Sequence, residues 1–76
     1  METINPGIAE VFKTNVQEAD EATKLIALLL QHFPGCKINF DLHDCDKVLR
    51  MEGKNLLTEK VIILIKENGF ECNVLE

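Results

Sequence analysis

Apolar and polar residues alternate with a period of two through Ile38, Asn39, Phe40, Asp41, Leu42 and His43, which predicts a strand with one buried face. A return strand from Lys47 to Glu52 follows, with Leu49 and Met51 toward the core and Val48 and Arg50 on the open side. Between them His43-Asp44-Cys45-Asp46 supplies turn chemistry, because Asp side chains bond nearby backbone and tolerate tight dihedrals. A slip of one residue would exchange the two faces. This hairpin, Lys37 to Gly53, stands between two helical patterns. From about Gln17 to Phe33 the residues Ala19, Ala22, Ile26, Leu29 and Phe33 recur at helical spacing and form one stripe. Asn15 sits three residues before Glu18, close to a capping box, and Pro34-Gly35 ends the helix. A second helix, capped by Asn55 or Thr58, runs to Asn68 with Leu57, Val61, Leu64 and Ile65 on one face. Gly69 is placed to take a left-handed backbone, after which Phe70 folds back onto the helix.

The ends of the chain supply two more strands. Met1 to Gly7, with Pro6 and Gly7, is a loose lead-in, and Ile8 to Thr14 is the first strand, in which the faces taken by Val11 and Phe12 stay open. Phe70, Cys72 and Val74 alternate with Glu71, Asn73 and Leu75 in the last strand. The order strand, helix, strand, strand, helix, strand closes into a four-stranded antiparallel sheet with both helices on one face, an α+β sandwich of ferredoxin-like βαββαβ type.

The length, 76 residues, sets one domain over 1–76, and a chain this small buries only about 60% of the surface its unfolded form exposes, so each apolar helix face matters. A net charge of -5 with scattered Lys and Arg disfavours phosphate contacts with nucleic acid and attachment to anionic membranes. The longest apolar run, Leu25 to Leu30, is too short to span a bilayer and no signal-peptide pattern opens the chain. Cys36, Cys45 and Cys72 are odd in number and lack motif spacing, which fits a reducing, cytoplasmic setting.

Phe33-Pro34-Gly35-Cys36, Phe40-Asp41-Leu42 and Asn68-Gly69-Phe70 followed by Cys72 resemble the framework of the small heavy-metal-associated domains of copper chaperones and metal-transporting ATPases. The resemblance covers about Val11 to Val74 and implies the fold. In that family two cysteines separated by two residues hold the metal where the first strand meets the first helix, since soft thiolates suit copper(I). Here, with Val16 laid on the family's usual Met, Glu18 and Glu21 stand at the cysteine positions, and a shift of one residue puts Ala19 and Ala22 there. Copper carriage by the family's mechanism is therefore not implied.

Other candidates weigh toward plain structural roles. Glu18, Asp20 and Glu21 could bind a hard metal, but acidic residues in a first helical turn are stabilised by the helix dipole. His43, Asp44, Cys45 and Asp46 form the compact set of donors, although adjacent residues at a hairpin tip seldom converge on one ion. Cys45 is expected to be the most accessible thiol, with Asp44 and Asp46 beside it opposing thiolate formation. Cys36 and Cys72 are expected to be small core hydrophobes, and His32 a residue at the edge of the helix stripe. No phosphate loop and no Ser-His-Asp or Cys-His set can be assembled, so no enzyme activity and no cofactor are expected. Leu28 and Ile63 point away from their helices' buried stripes and should emerge on one outer surface. The expectation is a non-catalytic interaction module, homodimeric or bound to a protein partner, or alternatively a metal-binding or metal-trafficking protein using Cys45, His43 or the Glu18 and Glu21 pair.

Overall fold

A computed structural model describes residues 8–54 and 56–75. The expected lead-in and the cap at Asn55 lie outside the described residues. The elements are β1 (Ile8–Thr14), α1 (Ala19–His32), β2 (Lys37–Asp41), β3 (Val48–Gly53), α2 (Thr58–Glu67) and β4 (Cys72–Val74). The strands form one antiparallel sheet in the order β2-β3-β1-β4, and both helices join the inner side chains of the sheet in the same core. This is the ferredoxin-like arrangement that the order of elements predicts.

The hairpin takes the expected register, with Ile38 opposite Met51 and Phe40 opposite Leu49. Leu49 and Met51 are fully buried, as is Phe12 on the neighbouring β1, which pairs with Leu49. Val11 therefore takes the open face, opposite Arg50. Lys47 belongs to the turn and not to the return strand, because its backbone enters the left-handed region at φ 46°. Its N–H donates to the Asp44 carbonyl at 2.9 Å and its Nζ to the Leu42 carbonyl at 3.0 Å, holding that conformation.

The first helix differs from expectation in phase and the second at its N-terminus. On α1 the buried side chains are Ala22, Leu25 and Leu29, continued by Phe33 beyond the helix, while Ala19 is exposed and Ile26 half-buried. Asn15 does not cap this helix. Glu18 is its N-cap, and the Glu21 carboxylate accepts the Glu18 N–H at 3.4 Å. Since the stripe passes through Leu25, Leu28 one turn on stands beside it and is half-buried against the cluster of Val16, Ala22 and Leu25. On α2 Val61, Leu64 and Ile65 are buried as expected, but Leu57 is the N-cap and 60% exposed, with Leu56 taking the core position. Thr58 is the first helical residue and not the cap.

Gly69 has φ +92°, and the Phe70 N–H returns to the Ile65 carbonyl at 3.3 Å, as the helix-end pattern requires. In β4 Cys72 is fully buried, whereas Val74 is exposed and Leu75 half-buried. The strand is only three residues long, so the alternation seen in the sequence outlasts it.

Gly53 closes β3 against the residue before β2. A Cβ built there would fall well inside contact distance of the Cys36 Sγ. Gly53→Ala is expected to cost on the order of 1 to 2 kcal/mol through overpacking. Urea unfolding of Gly53→Ala alone and with Cys36→Ala checks it, since much of the loss should disappear once the sulfur is gone.

Candidate functional site

Two segments that could carry chemistry lie together at one end of the sheet. They are the turn from Leu42 to Lys47 and the junction of β1 with α1. Their meeting point is Thr14, a buried polar residue at the end of β1. Its N–H donates to the Asp46 carbonyl at 3.0 Å, its hydroxyl donates to the Lys47 carbonyl at 2.5 Å, and the same oxygen accepts the Val16 N–H at 3.2 Å. Exposed Lys13 reaches half-buried Asp46 at 4.0 Å across the same gap.

The turn is organised by its own carboxylates. Asp41 Oδ1 accepts the His43 N–H at 3.1 Å and Asp44 Oδ1 accepts the Asp46 N–H at 2.8 Å, so one of the expected donors, Asp44, is already engaged in shaping the backbone. Asp44, Cys45 and Asp46 nevertheless bring one donor atom each within 4.8 Å of one another, with Cys45 exposed. His43 is not part of that grouping. The set combines one soft and two hard donors from consecutive residues.

The β1–α1 junction is occupied otherwise. Asn15 Oδ1 accepts the Glu71 N–H at 2.8 Å, tying the junction to the segment that enters β4. Val16 is fully buried. Glu18 and Glu21 meet at the helix cap, where the Glu21 carboxylate accepts the Glu18 N–H.

The other thiols are separated by burial. Cys72 is fully buried opposite Thr14, and desolvation pushes its thiol up to about 11, with Lys66 opposing the rise. Cys36 is half-buried against the core. Beside Cys36 lies an open cleft of about 590 Å³ lined by His32, Phe33, Lys37, Glu52 and Lys54, among others. A shallower one of about 440 Å³ lies on the open face of the sheet, lined by Asn39, Asp41, Val48 and Arg50.

The expected outer surface keeps one of its two members. Ile63 is 54% exposed on α2, whereas Leu28 is drawn into the inner layer as described. Thr14 and Asn15 are the residues that sequence reasoning missed. Their partners lie 33 and 56 residues away, and no local pattern announces them. Among the described residues no helix is long and apolar enough to cross a membrane. Compared with family models, curated proteins and solved structures, the chain finds no match.

Proposed function

We infer that this chain is a small non-catalytic interaction module of the heavy-metal-associated type, without that family's metal loop, acting by protein contact in the cytoplasm. The observation that carries the reading is the β1–α1 junction. Asn15 holds β4, Val16 fills the core and Glu18 with Glu21 closes the helix cap, so the loop used for metal in the resembling family here serves to close the fold. None of the four offers a thiolate, the donor that copper(I) favours. On the helix layer Leu30, Leu57 and Ile63 are exposed apolar side chains, and a partner that covered them would remove them from water.

A second reading is favoured by the turn, where Asp44, Cys45 and Asp46 gather their donor atoms within 4.8 Å. In it the chain binds or carries a metal through a rearranged ligand set. Native mass spectrometry of the reduced protein with copper(I), and separately with zinc(II), decides between them. The expected result is no metal retained in the presence of a competing chelator. A one-to-one adduct that survives the chelator and is lost in Cys45→Ala would overturn the interaction reading in favour of the second.

A further inference from the structure

We propose that β2 is the edge through which two copies of this chain associate, pairing antiparallel about Asn39 so that two four-stranded sheets become one. The proposal rests on the reading of the chain as an interaction module and names its partner, a second copy.

β2 is an outer strand, and among the described residues no segment pairs with its outer side. Sheet edges are usually protected by brevity, charged side chains such as lysine, proline, a bulge or an inward charge; β2 carries one lysine, Lys37, and an aspartate, Asp41, that can answer it across a two-fold pairing. β4 at the opposite edge has three residues. β2 has five, contains no proline and runs in unbroken register with β3.

The inner side chains of this edge are incompletely covered. Cys36, Ile38, Phe40 and Leu42 pack against the core clusters but are only half-buried, while Leu49 and Met51 on the adjacent strand are fully buried. Continuing the sheet beyond β2 would cover the row from its outer side.

The charges at the two ends of the strand select the register. Lys37 and Asp41 are both exposed on the open face, and neither is in an ion pair among the described residues. Antiparallel pairing about Asn39 sets Lys37 against Asp41 of the second copy, and the reverse, at the same time. It also sets Ile38 against Phe40 and Cys36 against Leu42, all on the inner side. A slip of one residue would turn one copy's apolar row to the open face, and a slip of two would leave Lys37 opposite Asn39 or His43. Opposite charges directly across a strand pair favour the first register, and the two-fold arrangement closes at two copies.

Analytical ultracentrifugation across a range of concentrations tests this with Lys37→Asp, Asp41→Lys and the double variant. Either single change sets like charges opposite each other at both ends of the pairing. Each is expected to raise the dimer dissociation constant about tenfold or more. The double variant restores the complementary ends and should recover the dimer, and an equimolar mixture of the two single variants should form mixed dimers. Neither single change is silent within its own copy, because Asp41 Oδ1 accepts the His43 N–H and Lys37 lies opposite Glu52, so the double variant and the mixture carry the test. Thermal melts of each variant establish that it folds. A wild-type chain that stays monomeric throughout would overturn the edge proposal. So would a dimer indifferent to these changes but lost in Ile63→Glu, an outcome that moves the contact to the helix layer and leaves the interaction reading standing. A chelator-resistant metal adduct is the separate result that would overturn the reading beneath it.

Discussion

Thr14→Val is expected to destabilise the domain by about 2 to 4 kcal/mol, since a buried and a part-buried backbone group lose their partner at once. The hydroxyl is 6% exposed as part of its residue, donates to the Lys47 carbonyl and accepts the Val16 N–H. Valine fills nearly the same volume but can do neither, so packing is kept while the Lys47 carbonyl and the Val16 N–H are left facing an apolar group. In a domain of this size such a loss lowers the melting temperature by upwards of ~10 °C. The local consequence matters as much. The Thr14 hydroxyl and the Thr14 N–H together join the Leu42–Lys47 turn to the β1–α1 junction, and valine keeps only the backbone bond to Asp46, so amides in the turn should exchange faster than the rest of the hairpin. Thr14→Ser, which keeps the oxygen and drops a methyl group, is expected to lose only about 1 kcal/mol. Calorimetry of the two variants side by side is the check. Equal losses would mean that the methyl group, and not the hydroxyl, does the stabilising.

The features that could be read from the sequence are those in which one residue type appears at one spacing. Ile38 and Phe40 alternate with Asn39 and Asp41, so only one face could be the inner one, and the register with Leu49 and Met51 follows. Gly69 ends α2 as expected because few other residues tolerate φ +92° at that position. Phase was illegible wherever apolar residues are contiguous. In Leu25 to Leu30 nearly any helical stripe meets an apolar side chain, so Ile26 and Leu25 compete, and the sheet beneath chooses Leu25. The same ambiguity exchanged Leu56 with Leu57, whereas Val74 keeps the face of its partner Phe12 and is exposed because β4 is an edge strand. Contacts distant in sequence were invisible for a different reason. Asn15 has good capping chemistry, yet its oxygen is taken by Glu71, a competition that exists only once β4 is in place beside β1. For the candidate site, the sequence identified the donors of the turn but not that Asp41 and Asp44 would spend oxygens on His43 and Asp46 backbone.

Stability is expected to fall by about 2 to 3 kcal/mol as the pH rises from 9 to beyond 11, through Cys72 alone. The cause is burial. Cys72 is fully buried, the thiolate is the charged form, and desolvation raises the thiol from its ordinary 9.0 to about 11 against the smaller attraction of Lys66. Above pH 9 the unfolded chain releases this proton while the folded chain retains it. The stabilisation is therefore complete below pH 9 and is lost as the pH climbs through the folded value. Lysines also titrate in this window, so the measurement is a comparison of urea unfolding at several pH values for wild type and Cys72→Ala. The variant pays for its missing sulfur at every pH, but its alkaline decline should be shallower by the Cys72 contribution. The same burial orders thiol chemistry at neutral pH. A small alkylating reagent should modify exposed Cys45 first and reach Cys72 only when the molecule opens. Parallel pH curves for the two proteins, or prompt alkylation of Cys72 in the folded state, would show that this thiol is not held in the core as the packing of β4 on β1 implies.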